Sequence, residues 1–228
     1  MSIWFHISKL LESLAIGETL SVLFNRLKTP PEKRVGFTIA AIALSAKMAK
    51  ADGIVTHQEK VAFKKIFTIL PSDEKHVQCV FELAQKDIAG YEIYAKKISK
   101  MLQNKPKLLE DLIEGLLYIS IADKIFHPKE ENFVNEVAKI FKIPDQKLEI
   151  LKARYIPVFQ KNPYLVLGLN PDSEFKDIKK QWQRLVHESH PDNMIAQGLP
   201  QEAINLATSR LIAINEAWQK INQHNTNL

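Results

Sequence analysis

Two acidic loops of similar pattern stand in the first two-thirds of the chain. In each loop an Ala-Asp pair is followed seven residues later by a glutamate, which relates Asp52 to Glu59 and Asp123 to Glu130. Carboxylate oxygens are the ligands that hard divalent cations such as calcium and magnesium prefer. If the fold brings both loops together, the four carboxylates predict a site for a divalent cation.

Helix capping is an alternative explanation for the same residues. Thr56-x-x-Glu59 has the form of a capping box, in which the glutamate accepts a bond from the main-chain N–H of the cap residue. Pro128 suits the first position of a helix, and Glu130 lies two residues beyond it. The aspartates fit capping less well, because a carboxylate at the end of a helix opposes the helix dipole. At the level of sequence both explanations stay open.

A third candidate for binding chemistry is the tripeptide His190-Pro191-Asp192, which follows a helical segment with several basic residues. Proline disfavours helix in the residue before it, so local grounds alone indicate a helix stop. A metal site that also used His187 would need a fuller ligand set than the neighbouring residues supply. A polar, exposed loop of this composition is more typical of a functional site than of a core.

Composition restricts the class of protein that holds these residues. The 228 residues are 46% hydrophobic and 25% charged, and only seven of them are glycine. The single cysteine, Cys79, excludes a disulfide framework and a cysteine-based zinc module, and it fits a reducing compartment. The net charge of +5 suits an acidic protein surface, anionic lipid or nucleic acid equally. We expect an all-α protein, because helix-forming residues dominate the composition. A location in the cytoplasm is expected as well, since the cysteine content fits a reducing compartment.

The N-terminal segment, residues 1–31, is amphipathic. Its apolar residues recur at helical spacing and are Ile3, Ile7, Leu10, Leu11 and Leu14. A helix that docks on the protein is favoured over an interfacial membrane helix, because the polar side holds one lysine and carries Glu12. Peripheral membrane contact through residues 1–24 stays open as an alternative. Neither a cleavable signal nor a membrane span is expected.

Proline and glycine residues divide the region 32–154 into seven predicted helices. Their bounds are 32–51, 57–70, 73–88, 90–103, 106–123, 128–141 and 145–154. The uncharged run from Val35 to Ala46 is about half of the ~20 residues that a bilayer crossing needs, so it predicts a buried core helix. Short connections predict that successive helices pack as neighbours.

The loop Ala-Asp-Gly-x-Val-Thr-x-x-Glu and its second copy resemble the TerB-like helical domain. That domain also occurs at the front of the DjlA class of J-domain proteins. The resemblance covers roughly residues 32–154 and implies a seven-helix bundle. The second loop carries Lys124 where the first carries Gly53, and a lysine beside the aspartate disfavours a metal there.

A linker is predicted at 155–162, followed by a smaller domain at 163–228. Asn162 and Pro163 begin a short helix that Gly168 ends. Asp172 or Ser173 is expected to cap a second helix. A third helix carries an apolar stripe at Leu211, Ile214, Trp218 and Ile221. The two long helices should pack antiparallel, with His190-Pro191-Asp192 in the loop between them.

Three pieces of this region, PYLVLGL, IKKQWQRLVHESHPD and LIAINEAWQKI, resemble the J-domain of the DnaJ family. The resemblance implies a co-chaperone, not an enzyme, that docks on a DnaK-type ATPase and stimulates its ATP hydrolysis. It implies that His190, Pro191 and Asp192 form the docking turn. The implied basic face consists of Lys179, Lys180 and Arg184. Trp182 stands among them where an aromatic residue is expected, and the resemblance implies that it also contacts the DnaK-type partner. No cofactor is expected apart from the divalent cation considered above, and no nucleic acid, because no nucleic-acid module accompanies the basic helix.

Several positions depart from the J-domain pattern. Asn193 replaces the usual lysine after the turn, and Gln183 and Glu188 stand where basic residues are common. These departures predict weaker or more partner-selective docking. The segment 193–210 is an unusually long connection between the turn and the apolar stripe of the third helix. The Gly/Phe-rich and cysteine-rich regions of full DnaJ proteins are missing, which predicts a specialised co-chaperone whose residues 1–154 select an unknown client or a location. The alternative is a TerB-like interaction or metal-sensing adaptor with a degenerate J-like docking arm.

Overall fold

The computed structural model describes residues 3–13, 18, 22, 30–52, 57–67, 69, 73–86, 90–156, 162–199 and 201–226. These residues form helices joined by turns and contain no β-strand, which confirms the predicted all-α class. The chain divides into two compact units, Met1–Lys142 and Ile143–Leu228.

The first unit contains seven of the described helices. They are α1 (Ile3–Glu12), α2 (Pro30–Asp52), α3 (His57–Phe67), α4 (Glu74–Lys86), α5 (Tyr91–Met101), α6 (Pro106–Ser120) and α7 (Pro128–Ile140). The bounds of α2 to α7 agree with the predicted ones within three residues. Proline explains where two of these helices begin. Pro106 and Pro128 each occupy the first helical turn, where a missing N–H costs no hydrogen bond.

The centre of the first unit is α2, which contacts α1, α4, α5, α6 and α7. From Val35 to Met48 almost every side chain is buried, and Ile39, Ile42 and Leu44 are fully buried. A helix that is apolar on all sides has to be surrounded by other elements. The predicted core helix is therefore confirmed.

The N-terminal helix α1 packs on α2 and α4. Its Ile7 is fully buried, whereas Lys9 and Glu12 are exposed. The predicted docking of this amphipathic helix on the body of the protein is what the structure shows. Leu14, the last residue of the predicted stripe, lies outside the described residues.

The second unit contains α8 (Asp145–Tyr155), α9 (Pro163–Leu167), α10 (Phe175–Ser189), α11 (Pro191–Ala196) and α12 (Gln201–Thr226). Its buried core comprises Ala153, Val166, Leu167, Ile178, Leu185, Ile214, Ala217 and Ile221. Phe175 at the start of α10 stacks on Trp218, with 5.5 Å between the ring centroids. Seven residues further along α10, the Trp182 indole N–H donates to Asn215, which precedes Trp218 in α12. The two long helices therefore run antiparallel, as predicted.

The domain boundary differs from the predicted one. We expected α8 to close the first domain at residue 154 and residues 155–162 to be a linker. The structure instead groups α8 with the second unit, where it contacts α9 and α12. Ala153 belongs to the core of that unit, and the Arg154 Nε–H donates to the Val166 carbonyl oxygen at 3.5 Å. Tyr155 and Ile156 are buried, so only residues 157–161, which lie outside the described part, remain of the predicted linker.

Two further details of the second unit correct the prediction. The N-cap of α10 is Glu174 rather than Asp172 or Ser173, because the Glu174 carbonyl oxygen accepts from the N–H groups of Asp177 and Ile178. The long path 193–210 is mostly helix. Pro191 begins α11, and Gly198 follows the helix with a φ of 66°, a left-handed conformation that favours glycine. The first turns of α12 are buried at Ala203, Ile204 and Leu206.

Candidate partner-docking site

The His190-Pro191-Asp192 turn joins α10 to α11. His190 ends the first helix and caps the second, with an extended backbone of φ −67° and ψ 129°. This conformation follows from Pro191, whose ring disfavours helix in the preceding residue. Pro191 itself occupies the first position of α11. The tripeptide is therefore both the helix stop that local sequence indicates and a defined turn.

The two polar side chains of the turn point into solvent. The His190 side chain is 50% exposed and that of Asp192 is 84% exposed. The Asp192 main-chain N–H donates to His190 Nδ1 at 3.2 Å, and Nδ1 lies 3.6 Å from Asp192 Oδ2. Because Nδ1 accepts that bond, the proton of the neutral ring lies on Nε2. The turn thus presents an N–H donor and a carboxylate side by side to a partner.

A third side chain holds the turn in place. The Asn193 amide nitrogen donates to the main-chain carbonyl oxygen of His187 at 2.6 Å. That carbonyl belongs to the last turn of α10 and otherwise accepts only a long bond, 3.4 Å, from the His190 N–H among the main-chain bonds described. Sequence reasoning identified Asn193 only as a departure from the J-domain pattern. The signal that it could have used is the ability of asparagine to bond main-chain groups across a short turn.

The basic face of α10 leads towards this turn. Lys179, Lys180 and Arg184 are exposed, as predicted from their positions. The Arg184 Nε–H donates to Gln181 Oε1 at 3.1 Å, and Nε lies 3.8 Å from Glu188 Oε1. Ion pairs between exposed side chains contribute little, typically about 0–1 kcal/mol. Glu188 therefore lowers the local positive charge without withdrawing Arg184 from solvent.

Trp182 lies away from the basic face. Its ring stacks on Trp218 of α12 with 4.8 Å between centroids, and its indole N–H donates to Asn215 Oδ1 at 2.9 Å. Spacings of four residues from Ile178 and three from Leu185 place it on the buried side of α10. The structure therefore gives Trp182 a packing position between the helices, in contrast to the partner contact that the resemblance implied.

The second acidic loop is built by local hydrogen bonds. Asp123 Oδ1 accepts from the Ile125 N–H at 2.9 Å, and Glu130 Oε2 accepts from the His127 N–H at 3.0 Å. Between them Lys124 has a φ of 70°, a left-handed conformation that glycine adopts without steric cost. A turn bond therefore accounts for Asp123, and helix capping accounts for Glu130.

The first acidic loop is described only in part. Glu59 is buried in α3, and Asp52 is the last residue of α2. The Asp52 side chain, Gly53 and Thr56 lie outside the described residues. Where the chain is described, no three His, Cys, Asp or Glu side chains form a group able to hold a metal ion.

The region that carries these loops matches the family model of the tellurite resistance protein TerB over residues 38–153, about half of the chain. The chain belongs to the TerB family. The match extends to residue 153 and so includes most of α8, which belongs to the second unit.

Relatives named co-chaperone protein DjlA match most of the chain. The protein from Aliivibrio fischeri is 25% identical over an alignment of 223 positions, and the alignment covers 83% of this chain and 79% of the relative. The protein from Vibrio parahaemolyticus is 21% identical and covers 87% and 81%. A DjlA from Coxiella burnetii is 40% identical over 58 residues, 25% of this chain. The predicted DjlA-like organisation is confirmed. No solved structure matches.

The comparisons also correct the predicted location. We expected a cytoplasmic protein, and that prediction is wrong because the DjlA relatives belong to a membrane-anchored class of co-chaperone. Among the described helices, none combines the length and the apolar character that crossing a bilayer requires.

Proposed function

We propose that this protein is a J-domain co-chaperone that docks on a DnaK-type ATPase and stimulates its ATP hydrolysis. The observation that carries the proposal is the exposed, hydrogen-bonded turn at His190 and Asp192, which continues from the basic face of α10. The similarity to proteins named co-chaperone over most of the chain supports the same function.

The proposed activity needs no covalent chemistry from this chain. A protein that binds one conformational state of an ATPase more tightly than another shifts the population towards the favoured state. In this mechanism the Nε2–H of His190 and the carboxylate of Asp192 recognise the hydrolysis-competent state. Pro191 and the His190 cap fix the turn before binding, which lowers the ordering cost of the complex.

The cations of α10 act mainly on the encounter with the ATPase. Lys179, Lys180 and Arg184 form an exposed positive face that an acidic surface attracts over distances of about a Debye length, roughly 8 Å at physiological salt. Such charges raise the association rate more than the lifetime of the complex. The acidic groups of the DnaK-type partner would therefore border the surface that receives the turn.

We assign to the TerB-like unit the role of directing the co-chaperone to a client or a location. The unit has its own buried core around α2, as a domain with its own binding role requires. A comparison of proteins that co-purify with the full chain and with residues 143–228 tests this role. Partners retained only by the full chain support it, and identical sets would contradict it.

The test of the main proposal is single-turnover ATP hydrolysis by the cognate DnaK. The wild-type chain should accelerate hydrolysis, and His190→Gln and Asp192→Asn should abolish the acceleration. Since the Asp192 side chain is exposed, Asp192→Asn should change stability by only about 0.5 kcal/mol. His190→Gln also removes the cap of α11, so it should cost about 0.5–2 kcal/mol. Full stimulation by both variants, or none by the wild type, would refute the co-chaperone mechanism and favour the adaptor alternative.

A further inference from the structure

The short helix α11 carries an exposed face that begins at the docking turn. Asp192, Ile195 and Ala196 are all exposed. Spacings of three and four residues place these side chains on one side of a helix. The face therefore contains both the carboxylate of the turn and, one helical turn later, an apolar side chain.

Hydrogen bonds and burial fix the orientation of this face. At its start, the His190 side chain accepts from the Asp192 N–H. At its end, the Gly198 N–H donates to the Ile195 carbonyl oxygen at 2.9 Å, and the Leu199 N–H donates to that of Met194 at 3.1 Å. The Met194 side chain is only 2% exposed, and α11 contacts both α10 and α12. The helix is thus a rigid extension of the turn.

Ile195 is one of the most exposed large apolar side chains in the described part of the protein, at 60%. A single exposed isoleucine needs no explanation, because much of any protein surface is apolar. The position of this one is informative. It shares a fixed face with Asp192, so a partner that receives the Asp192 carboxylate also comes within reach of Ile195.

We propose that α11 is a second part of the docking surface, in which Ile195 packs on an apolar patch of the DnaK-type ATPase. The proposal rests on the proposed function, and continuity with the turn identifies the occupant as the same partner. The complementary surface would place a cation against Asp192 with the apolar patch beside it. Asn193 and Met194 lie on the other side of α11 and hold the helix to the protein.

The proposal gives Ile195 and His190 different roles. An apolar contact adds to affinity by removing surface from water, irrespective of the step that the partner then performs. Truncation of Ile195 should therefore raise the concentration of co-chaperone that gives half-maximal stimulation and leave the maximal rate unchanged. Loss of His190 should remove the stimulation itself.

The experiment is a titration of DnaK ATP hydrolysis with the full chain and its Ile195→Ala variant. We expect the half-maximal concentration to rise about fivefold or more, the effect of losing a contact worth about 1 kcal/mol. Ile195→Leu should restore most of the affinity, because it keeps the apolar volume. Ile212→Ala is the matched control, since Ile212 is 56% exposed on α12 and lies outside the proposed surface.

A second measurement avoids any effect of the variant on folding. In the wild-type chain with labelled isoleucine methyl groups, addition of DnaK with ATP should broaden or shift the Ile195 signal and leave that of Ile212 unchanged. If the Ile195→Ala titration and the methyl signal both remain unaffected while His190→Gln is inactive, α11 is no contact and only this inference fails. If the wild type stimulates no DnaK, the proposed function fails as well.

Discussion

The side-chain amide of Asn193 donates to the main-chain carbonyl oxygen of His187 at 2.6 Å and so ties the start of α11 to the end of α10. The bond spans the docking turn, whose residues 190–192 lie between its two ends. The J-domain pattern has a lysine at this position. In this chain the asparagine adds no positive charge, and its side chain instead holds the turn by a short internal hydrogen bond.

Removal of this bond should loosen the turn. For Asn193→Ala we expect a loss of about 1 kcal/mol or less in the free energy of unfolding, because water replaces an exposed hydrogen bond in part. Amide hydrogen exchange in α11 should become faster, and DnaK stimulation should need a higher protein concentration, since more ordering then accompanies binding.

The matched variant for this prediction is Asn193→Asp, which keeps the shape of the side chain and removes the donor. It should resemble Asn193→Ala in hydrogen exchange. Exchange rates in residues 191–196 that equal those of the wild type in both variants would show that the bond does not order the turn.

The basic face of α10 provides a prediction on kinetics. Reversal of Lys179, Lys180 and Arg184 to glutamate should slow association with DnaK and flatten its dependence on ionic strength, because these charges act mainly during the encounter. Stopped-flow association at several salt concentrations measures both effects. Reversal of the exposed residues Lys96, Lys100 and Lys129 of the first unit gives the same change in net charge as a control. Equal slowing by both sets would mean that net charge alone acts.

Much of this architecture was predictable from local signals. Helices α2 to α7 begin and end near proline and glycine residues, whose backbone restrictions act within a few positions. The buried helix α2 follows from its uncharged run. The His190 turn was predictable because proline dictates the conformation of the preceding residue whatever the tertiary context.

The features that sequence reasoning missed depend on packing between distant segments. The assignment of α8 to the second unit rests on contacts of Ala153 and Arg154 with α9 and α12, and no local pattern reports them. The prolines at 157 and 163 instead indicated a linker. Trp182 was placed with the basic residues, whereas its position relative to Ile178 and Leu185 puts it against Trp218.

The left-handed residue Lys124 predicts a stabilising substitution. A side chain with a β-carbon costs roughly 1–2 kcal/mol in this conformation, whereas glycine adopts it freely but loses more entropy on folding. For Lys124→Gly we therefore expect a gain of up to about 1 kcal/mol, measured by urea denaturation. Lys96→Gly in the exposed interior of α5 should instead cost about 0.5–1 kcal/mol. A loss of stability in both variants would contradict the conformational argument.

The last prediction distinguishes capping from metal binding in the acidic loops. The Glu130 carboxylate accepts from the His127 N–H at the start of α7, and its side chain is almost completely buried. Glu130→Ala should therefore destabilise the protein by about 0.5–2 kcal/mol, as for a lost cap, and Glu130→Gln should retain most of the bond. Thermal melting measures both variants.

Metal dependence is tested by melting the wild type in EDTA and in millimolar calcium or magnesium. If capping is the whole role of these residues, the melting temperature should be the same in all three conditions. If instead Asp52 and Glu59 approach Asp123 and Glu130, a cation would relieve the repulsion of four carboxylates and bind only the folded state. Stability would then rise with metal concentration by mass action, and Asp52→Asn would abolish the rise. Because both carboxylates of the second loop already accept main-chain hydrogen bonds, we expect the melting temperature to be independent of metal.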